Sequence, residues 1–249
     1  MKRSFGPMWN QVKTELQDLT WSSVLLSVLA LSFTWLVAPF SYIESLTSHA
    51  TYTTNFAALI LYILCIALSF TIASAHDFVS ILSLGPIILS LIVAFIGFFN
   101  RPIIMALLML LPLYLFIIQL PATYLRNTIG LITIGGLFTL SIPVAAVYLV
   151  THRFAWSALI YCLPLALTTW MFLTPFFIRV TRIQSIFITI VGSLLLIAIL
   201  TRPLGIGMIL SLVAVVIFWF WLLSIRKQTP YLAALSTVQL LIMVLIYWT

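Results

Sequence analysis

The stretch TNFAALILYILCIALSFTIASAHD, residues 54–77, settles the class of this chain. It carries no charged side chain until His76 and Asp77 at its very end. A helix needs roughly 20 apolar residues to cross the hydrocarbon core of a bilayer. An ordinary soluble domain has about a quarter of its residues charged and would not leave such a run unbroken. The segment is apolar on every side, so it has no face to turn to water.

The same reading extends outward along the chain. Apolar runs at 22–40, 54–74, 78–98, 103–120, 128–150, 155–177, 184–200, 204–224 and 231–248 predict about nine spans. The whole chain is 64% hydrophobic and only 6% charged, with a mean hydropathy of +1.27. The expected fold is all-α: a polytopic transmembrane helical bundle, with residues 22–249 as a single transmembrane domain. Residues 1–21 form an amphipathic segment before it. In MWNQVKTELQDLTW, residues 8–21, Met8, Val12, Leu16 and Leu19 share one helical face, and Lys13, Glu15, Gln17 and Asp18 fall elsewhere. Such a segment lies along a membrane surface, with Trp9 and Trp21 at the interface. Elbow helices of this kind are common on permease subunits. The first span is long and has no small-x-small cleavage site, so it reads as a retained helix rather than a signal peptide.

Charge sets the orientation. With the N-terminus inside, Lys2, Arg3, Lys13, Arg126, Arg179, Arg182, Arg226 and Lys227 fall on the cytoplasmic side, and only Arg101, Arg153 and Arg202 fall opposite. Basic residues concentrate on cytoplasmic loops, so the expected topology is N-in, C-out. The net charge of +7 is scattered singly and forms no patch for nucleic acid. The expected location is a bacterial cytoplasmic membrane, with the lipid bilayer as the first partner. The loops are too short for a soluble catalytic or nucleotide-binding domain, so such a partner would be a separate membrane or nucleotide-binding subunit.

Two Arg-Pro pairs, Arg101-Pro102 and Arg202-Pro203, stand 101 residues apart. Both fall on the external side, opening spans four and eight, and the next basic residue, Arg126 or Arg226, follows about 24 residues later. The spacing suggests a parallel repeat with a period of four helices. Proline is also favoured at any first helical turn, which supplies a plainer explanation.

Only four carboxylates are present, Glu15, Asp18, Glu44 and Asp77. Ionisable groups at bilayer depth are costly and mark function. Glu15 and Asp18 read as part of the surface helix and Glu44 as part of an external loop, which leaves Asp77. His76-Asp77, in a cytoplasmic turn, suits cation binding or a proton relay; equally, Asp77 suits the N-cap of span three. Arg179 and Arg182, three residues apart, would share a helical face able to grip a phosphate, or would simply anchor the chain among headgroups. Arg126 joins them as a ligand or lipid-headgroup candidate. Pro86, Pro112, Pro143, Pro164 and Pro175 would kink their spans and open a cavity lined by Thr139, Ser141, Thr168, Thr169 and Thr174, although small polar residues are also ordinary helix–helix glue. Gly135-Gly136 and Gly205-x-Gly207 suggest close helix approach. Cys65 and Cys162 read as small core residues, and His49 and His152 lie in external loops. No metal, haem or other cofactor is expected from these residues.

Nine helices, N-in and C-out, in two four-helix repeats plus one, resembles the UbiA-type intramembrane prenyltransferases. That resemblance implies a magnesium-held diphosphate site on aspartate-rich cytoplasmic loops, where this chain has Ala75-His76-Asp77-Phe78 and Arg179-Val180-Thr181-Arg182. The architecture carries over more readily than the activity. Arg101-Pro102, Leu125-Arg126-Asn127 and Phe176-Phe177-x-Arg179-Val180-x-Arg182 are similar to the YwiC-like bacterial membrane proteins, over about a third of the chain. That family's His-Gly-Ala-Trp stretch is absent, and the resemblance implies no particular activity. The leading expectation is a non-enzymatic permease-like or membrane-complex subunit. The alternatives are a UbiA-like lipid or isoprenoid enzyme with degenerate motifs, using Asp77 with Arg179 and Arg182, and a small-solute or ion-linked transporter.

Overall fold

The computed structural model describes residues 5–46, 54–120, 123–152, 156–178, 180–203, 205–224 and 232–247. Eleven helices account for these residues, and no strand occurs among them: α1 (Phe5–Asp18), α2 (Trp21–Leu46), α3 (Thr54–Ala75), α4 (Leu84–Phe98), α5 (Pro102–Gln119), α6 (Thr128–Thr151), α7 (Trp156–Tyr161), α8 (Leu163–Phe177), α9 (Thr181–Leu200), α10 (Ile206–Ser224) and α11 (Leu232–Tyr247). Six of them, α2, α3, α5, α6, α9 and α10, are long and apolar enough to cross a membrane, and α4, α8 and α11 are shorter apolar helices. In lipid every backbone amide must be bonded within the chain, so an apolar segment of this length has the helix as its solution.

The order of packing is cyclic. α2 packs on α3, α3 on α4, α4 on α5, α5 on α6, and α6 returns to α2. From α6 the path continues over α8, α9, α10 and α11, which also returns to α2. Two rings therefore share α2 and α6. At the junction Trp35 of α2 stacks on Phe138 of α6 at 4.6 Å, and Phe70 of α3 meets Phe138 edge-on at 5.5 Å. Phe172 of α8 joins Phe70 from the second ring. Outward faces are apolar instead: Ile96, Ile103, Ile160 and Phe220 are each about two-thirds or more exposed, as suits an exterior solvated by lipid.

The prolines divide by position. Pro86 and Pro164 lie within the first three residues of α4 and α8, where no ladder bond is lost. Pro86 does not kink a span, whereas Pro164 directly follows the interruption at Cys162 that divides the expected span 155–177 into α7 and α8. Pro39, Pro112, Pro143 and Pro175 are interior, and α2 continues through Pro39 to Leu46, beyond the expected end at 40. Pro112 cannot donate to the carbonyl four residues back, that of Leu108. The fully buried Tyr62 of α3 donates its hydroxyl there instead, at 2.6 Å. Tyr62→Phe will leave that carbonyl without a donor in an apolar core, at a cost of about 1–3 kcal/mol. Unfolding in mixed detergent micelles measures this, and an unchanged midpoint would refute it.

The threonines expected to line a cavity turn back on their own helices. Thr139 bonds the Gly135 carbonyl, Thr168 that of Pro164 and Thr174 that of Trp170. Thr169 instead accepts from Gln239 of α11 at 3.3 Å. Close helix approach holds at Gly135, where a Cβ would overlap the Trp170 indole, but a Cβ at Gly136 or Gly205 would meet nothing within 4 Å.

Candidate functional site

The loops gather at two ends of the bundle. One end holds α1, the turn between α3 and α4, the loop before α6, and the exit of α8. There α3 closes with Phe78 N–H donating to the Ala73 carbonyl at 2.6 Å, five residues back. This bond places Asp77 and Phe78 in the left-handed region, at φ 53° and 55°. An Asp tolerates that conformation, whereas for Phe it is strained. Packing holds the strain: Phe78 is buried against Phe70 at 5.7 Å and Phe177 at 5.2 Å. His76 is committed to the same closure, its Nδ1 lying 3.1 Å from the Ile72 carbonyl, so the nitrogen facing that oxygen carries the hydrogen.

Arg126 reaches this turn from the loop before α6. Its guanidinium lies 5.9 Å over the Phe78 ring. Asn127 fixes the loop from behind: its Oδ1 accepts from Gly130 N–H at 2.9 Å, and its Nδ2 donates to the Tyr124 carbonyl at 3.2 Å. The exposed Asp77, the half-buried Arg126 and Phe177 therefore meet around one buried phenylalanine. Arg179 lies outside the described residues. Arg182 is exposed on the first turn of α9. α8 ends at Phe177 and α9 begins at Thr181, so no single helix supplies the arginine face expected over 179–182.

A second correction concerns the carboxylates. α4 starts at Leu84, because the apolar residues Phe78, Val79, Ile81 and Leu82 belong to a turn rather than to a span. Asp77, seven positions earlier, cannot cap it. The carboxylate that binds the turn leading into α4 is instead Glu15, which was expected on the solvated side of the N-terminal helix and is only 5% exposed. Glu15 accepts from Ser80 Oγ at 2.7 Å, Leu82 N–H at 3.1 Å, Ile81 N–H at 3.4 Å and Gln11 Nε2 at 3.1 Å. Burial, the largest single influence, pushes its carboxyl up, but the donors together outweigh burial and hold it below the ordinary glutamate range. A carboxylate before a helix N-terminus also suits the helix dipole. The buried face of α1 thus runs through Glu15, with Leu16 exposed and Leu19 buried just beyond the helix. The available signal was the run Ser80-Ile81-Leu82-Ser83: its donors precede a helix whose own N-cap, Ser83, makes no side-chain cap bond.

At the opposite end the two Arg-Pro pairs diverge. Pro102 opens α5 with Arg101 as N-cap, whereas Pro203 precedes α10 by three residues. Arg202 is enclosed by aromatic rings, 4.8 Å from the Tyr161 centroid and 4.3 Å from that of Tyr247. It donates to the Tyr161 and Ile246 carbonyls at 3.1 and 3.3 Å, and Tyr247 donates to the Tyr161 carbonyl at 2.6 Å. Arg202 thereby ties α11 to the α7–α8 junction. Cys65 and Cys162 are both buried and unbridged. His152 is the exposed left-handed C-cap of α6, and His49 lies outside the described residues. Among the described residues no three His, Cys, Asp or Glu side chains converge as a metal site would need.

Comparison with protein families, curated proteins and solved structures found no match. The apolar helices define the chain as compatible with an integral membrane protein, and that is the class its fold supports.

Proposed function

We propose that this chain is a nine-span, N-in, C-out protein of a bacterial cytoplasmic membrane, serving as a non-catalytic, permease-like subunit of a larger membrane complex. The observation that carries this reading is the docking of α1. A helix whose Lys13, Thr14, Gln17 and Asp18 are all exposed is pinned to the first cytoplasmic turn by a buried glutamate. Pinning fixes a polar platform at the membrane surface, which is what a partner subunit can grip without ordering it first. Nine spans follow if α4 and α11 cross and α7 and α8 cross together. The ladder favours the latter, since Cys162 N–H bonds the Ala158 carbonyl and Ala166 N–H bonds that of Cys162. The two rings sharing α2 and α6 support a four-helix repeat, while the unlike settings of Arg101 and Arg202 weigh against it.

One observation favours a second reading. Arg126 and Phe78 come from two separate loops and Phe177 from the end of α8, beside Asp77 and just before Arg179. That convergence suits an anionic headgroup or diphosphate, as in a carrier or a UbiA-like enzyme with degenerate motifs. Native mass spectrometry after extraction in mild detergent separates the two. A stoichiometric protein partner is expected on the first reading. A lone monomer holding an isoprenoid or other anionic lipid, released by Arg126→Gln, would overturn it in favour of the second.

A further inference from the structure

Beside Glu15 a half-open pocket of about 150 Å³ lies between α1, the 79–81 turn, the start of α4 and the end of α5. Its walls are mostly apolar, with Val79, Leu84, Phe116 and Leu120 lining it together with Gln119. Val79, Phe116 and Leu120 also keep 51%, 43% and 43% of their surface exposed, so the wall continues onto the outward face of α5. Gln11 and Ser80 also line it, and both donate to Glu15; Gln119 differs from them, being 8% exposed with its Nε2 buried without a partner. Its Oε1 accepts from Ser83 Oγ at 2.8 Å. Buried amide donors seldom stay unpaired.

Depth narrows what this donor meets. α5 has 18 residues and therefore rises about 27 Å, close to the thickness of the hydrocarbon core. Gln119 is its last residue, so with α5 spanning the membrane the donor sits where hydrocarbon gives way to the headgroup region. The ester carbonyls of acyl lipids lie at that boundary, acceptor oxygens joined to apolar chains. We infer that this pocket binds an ester-linked acyl lipid of the surrounding leaflet, its carbonyl accepting from Gln119 Nε2 and its upper chain lying on Phe116, Leu120 and Leu84. The inference rests on membrane insertion and is independent of whether the chain is a complex subunit.

The test uses two phosphatidylcholine probes, one ester-linked and one ether-linked, each with a diazirine near the top of the chain. The full-length protein is reconstituted in vesicles containing one or the other, and photolabelling is read peptide by peptide against α2 as reference. The ether probe lacks the carbonyl, so the peptide holding Phe116–Leu120 is expected to label about three- to tenfold less with it, the worth of one hydrogen bond. Gln119→Leu should abolish that preference. Ser83 keeps the Ser80 carbonyl, 2.9 Å away, as an acceptor, so the variant does not orphan its neighbour. Equal labelling by both probes, a preference that survives Gln119→Leu, or no labelling of this peptide while α2 is labelled would each overturn the inference. Failure of membrane insertion shows separately, as loss of labelling at α2.

Discussion

Glu15→Ala will release α1 from the bundle. The substitution removes the acceptor for one hydroxyl and two amides at Ser80, Ile81 and Leu82. Leaving a buried donor unpaired costs about 1–3 kcal/mol. Water can reach the half-buried Ile81 and Leu82 once α1 lifts, so the whole loss comes to roughly 2–4 kcal/mol. Glu15→Gln should fall between, because an amide offers one acceptor oxygen and brings its own donors against donors. A spin label at the exposed Gln17 reads the result as faster motion in vesicles. The same label gives the pH dependence. The folded carboxyl titrates below its ordinary value of 4.5, so its contribution is fully present above that value and is lost as pH falls through the folded pKa. Motion should stay slow at neutral pH and rise only in acid, with Glu15→Ala mobile throughout. A label equally slow in the alanine variant would sink the docking account.

The reason Glu15 escaped the sequence lies in what sequence patterns encode. Lipid makes the spans legible: a segment such as 54–75 has no polar face, so its fate follows from composition alone. Helix ends are set differently. Residues 78–82 are as apolar as the span they precede, yet Asp77 and Phe78 adopt left-handed backbone and the helix waits until Leu84. Nothing local forbids an earlier start; the packing of Phe78 on Phe70 and Phe177 decides it. α2 runs past Pro39 for the opposite reason, since neighbouring helices stabilise a ladder that one proline has breached.

The polar contacts share this non-local character. Glu15 meets Ser80 across 65 positions, Tyr62 meets Leu108 across 46, and Arg202 meets Tyr161 across 41. Periodicity marks Glu15 as one charged residue among several and cannot say which neighbour will supply donors. The convergence of Phe78, Arg126 and Phe177 was legible only as three short connections expected on one side of the membrane, which any even pairing of antiparallel helices brings to one end. What the fold adds is the aromatic contact between them. That contact makes the site depend on loop geometry as well as charge.

Gly130→Ala tests this dependence without touching a charged group. A Cβ at Gly130 would overlap the backbone carbonyl of Leu125, and a carbonyl in a capped loop has no rotamer to escape into. Either the Asn127 cap to Gly130 N–H breaks, at about 1 kcal/mol, or the 124–127 loop shifts, at the roughly 1–3 kcal/mol typical of overpacking. Whichever gives way, we expect a loss of about 1–3 kcal/mol in unfolding from mixed micelles. Gly136→Ala, six residues on in the same helix with nothing within 4 Å of its Cβ, should instead be neutral or stabilise by up to about 1 kcal/mol. Because Arg126 follows Leu125 directly, the shift carries its guanidinium away from Phe78. Hydrogen exchange at Phe78 N–H, which closes onto Ala73, should therefore quicken in Gly130→Ala and in Arg126→Gln alike. If exchange quickens in neither, the 124–127 loop and the strained 77–78 turn are independent structures, and the site around Phe78 loses its physical basis.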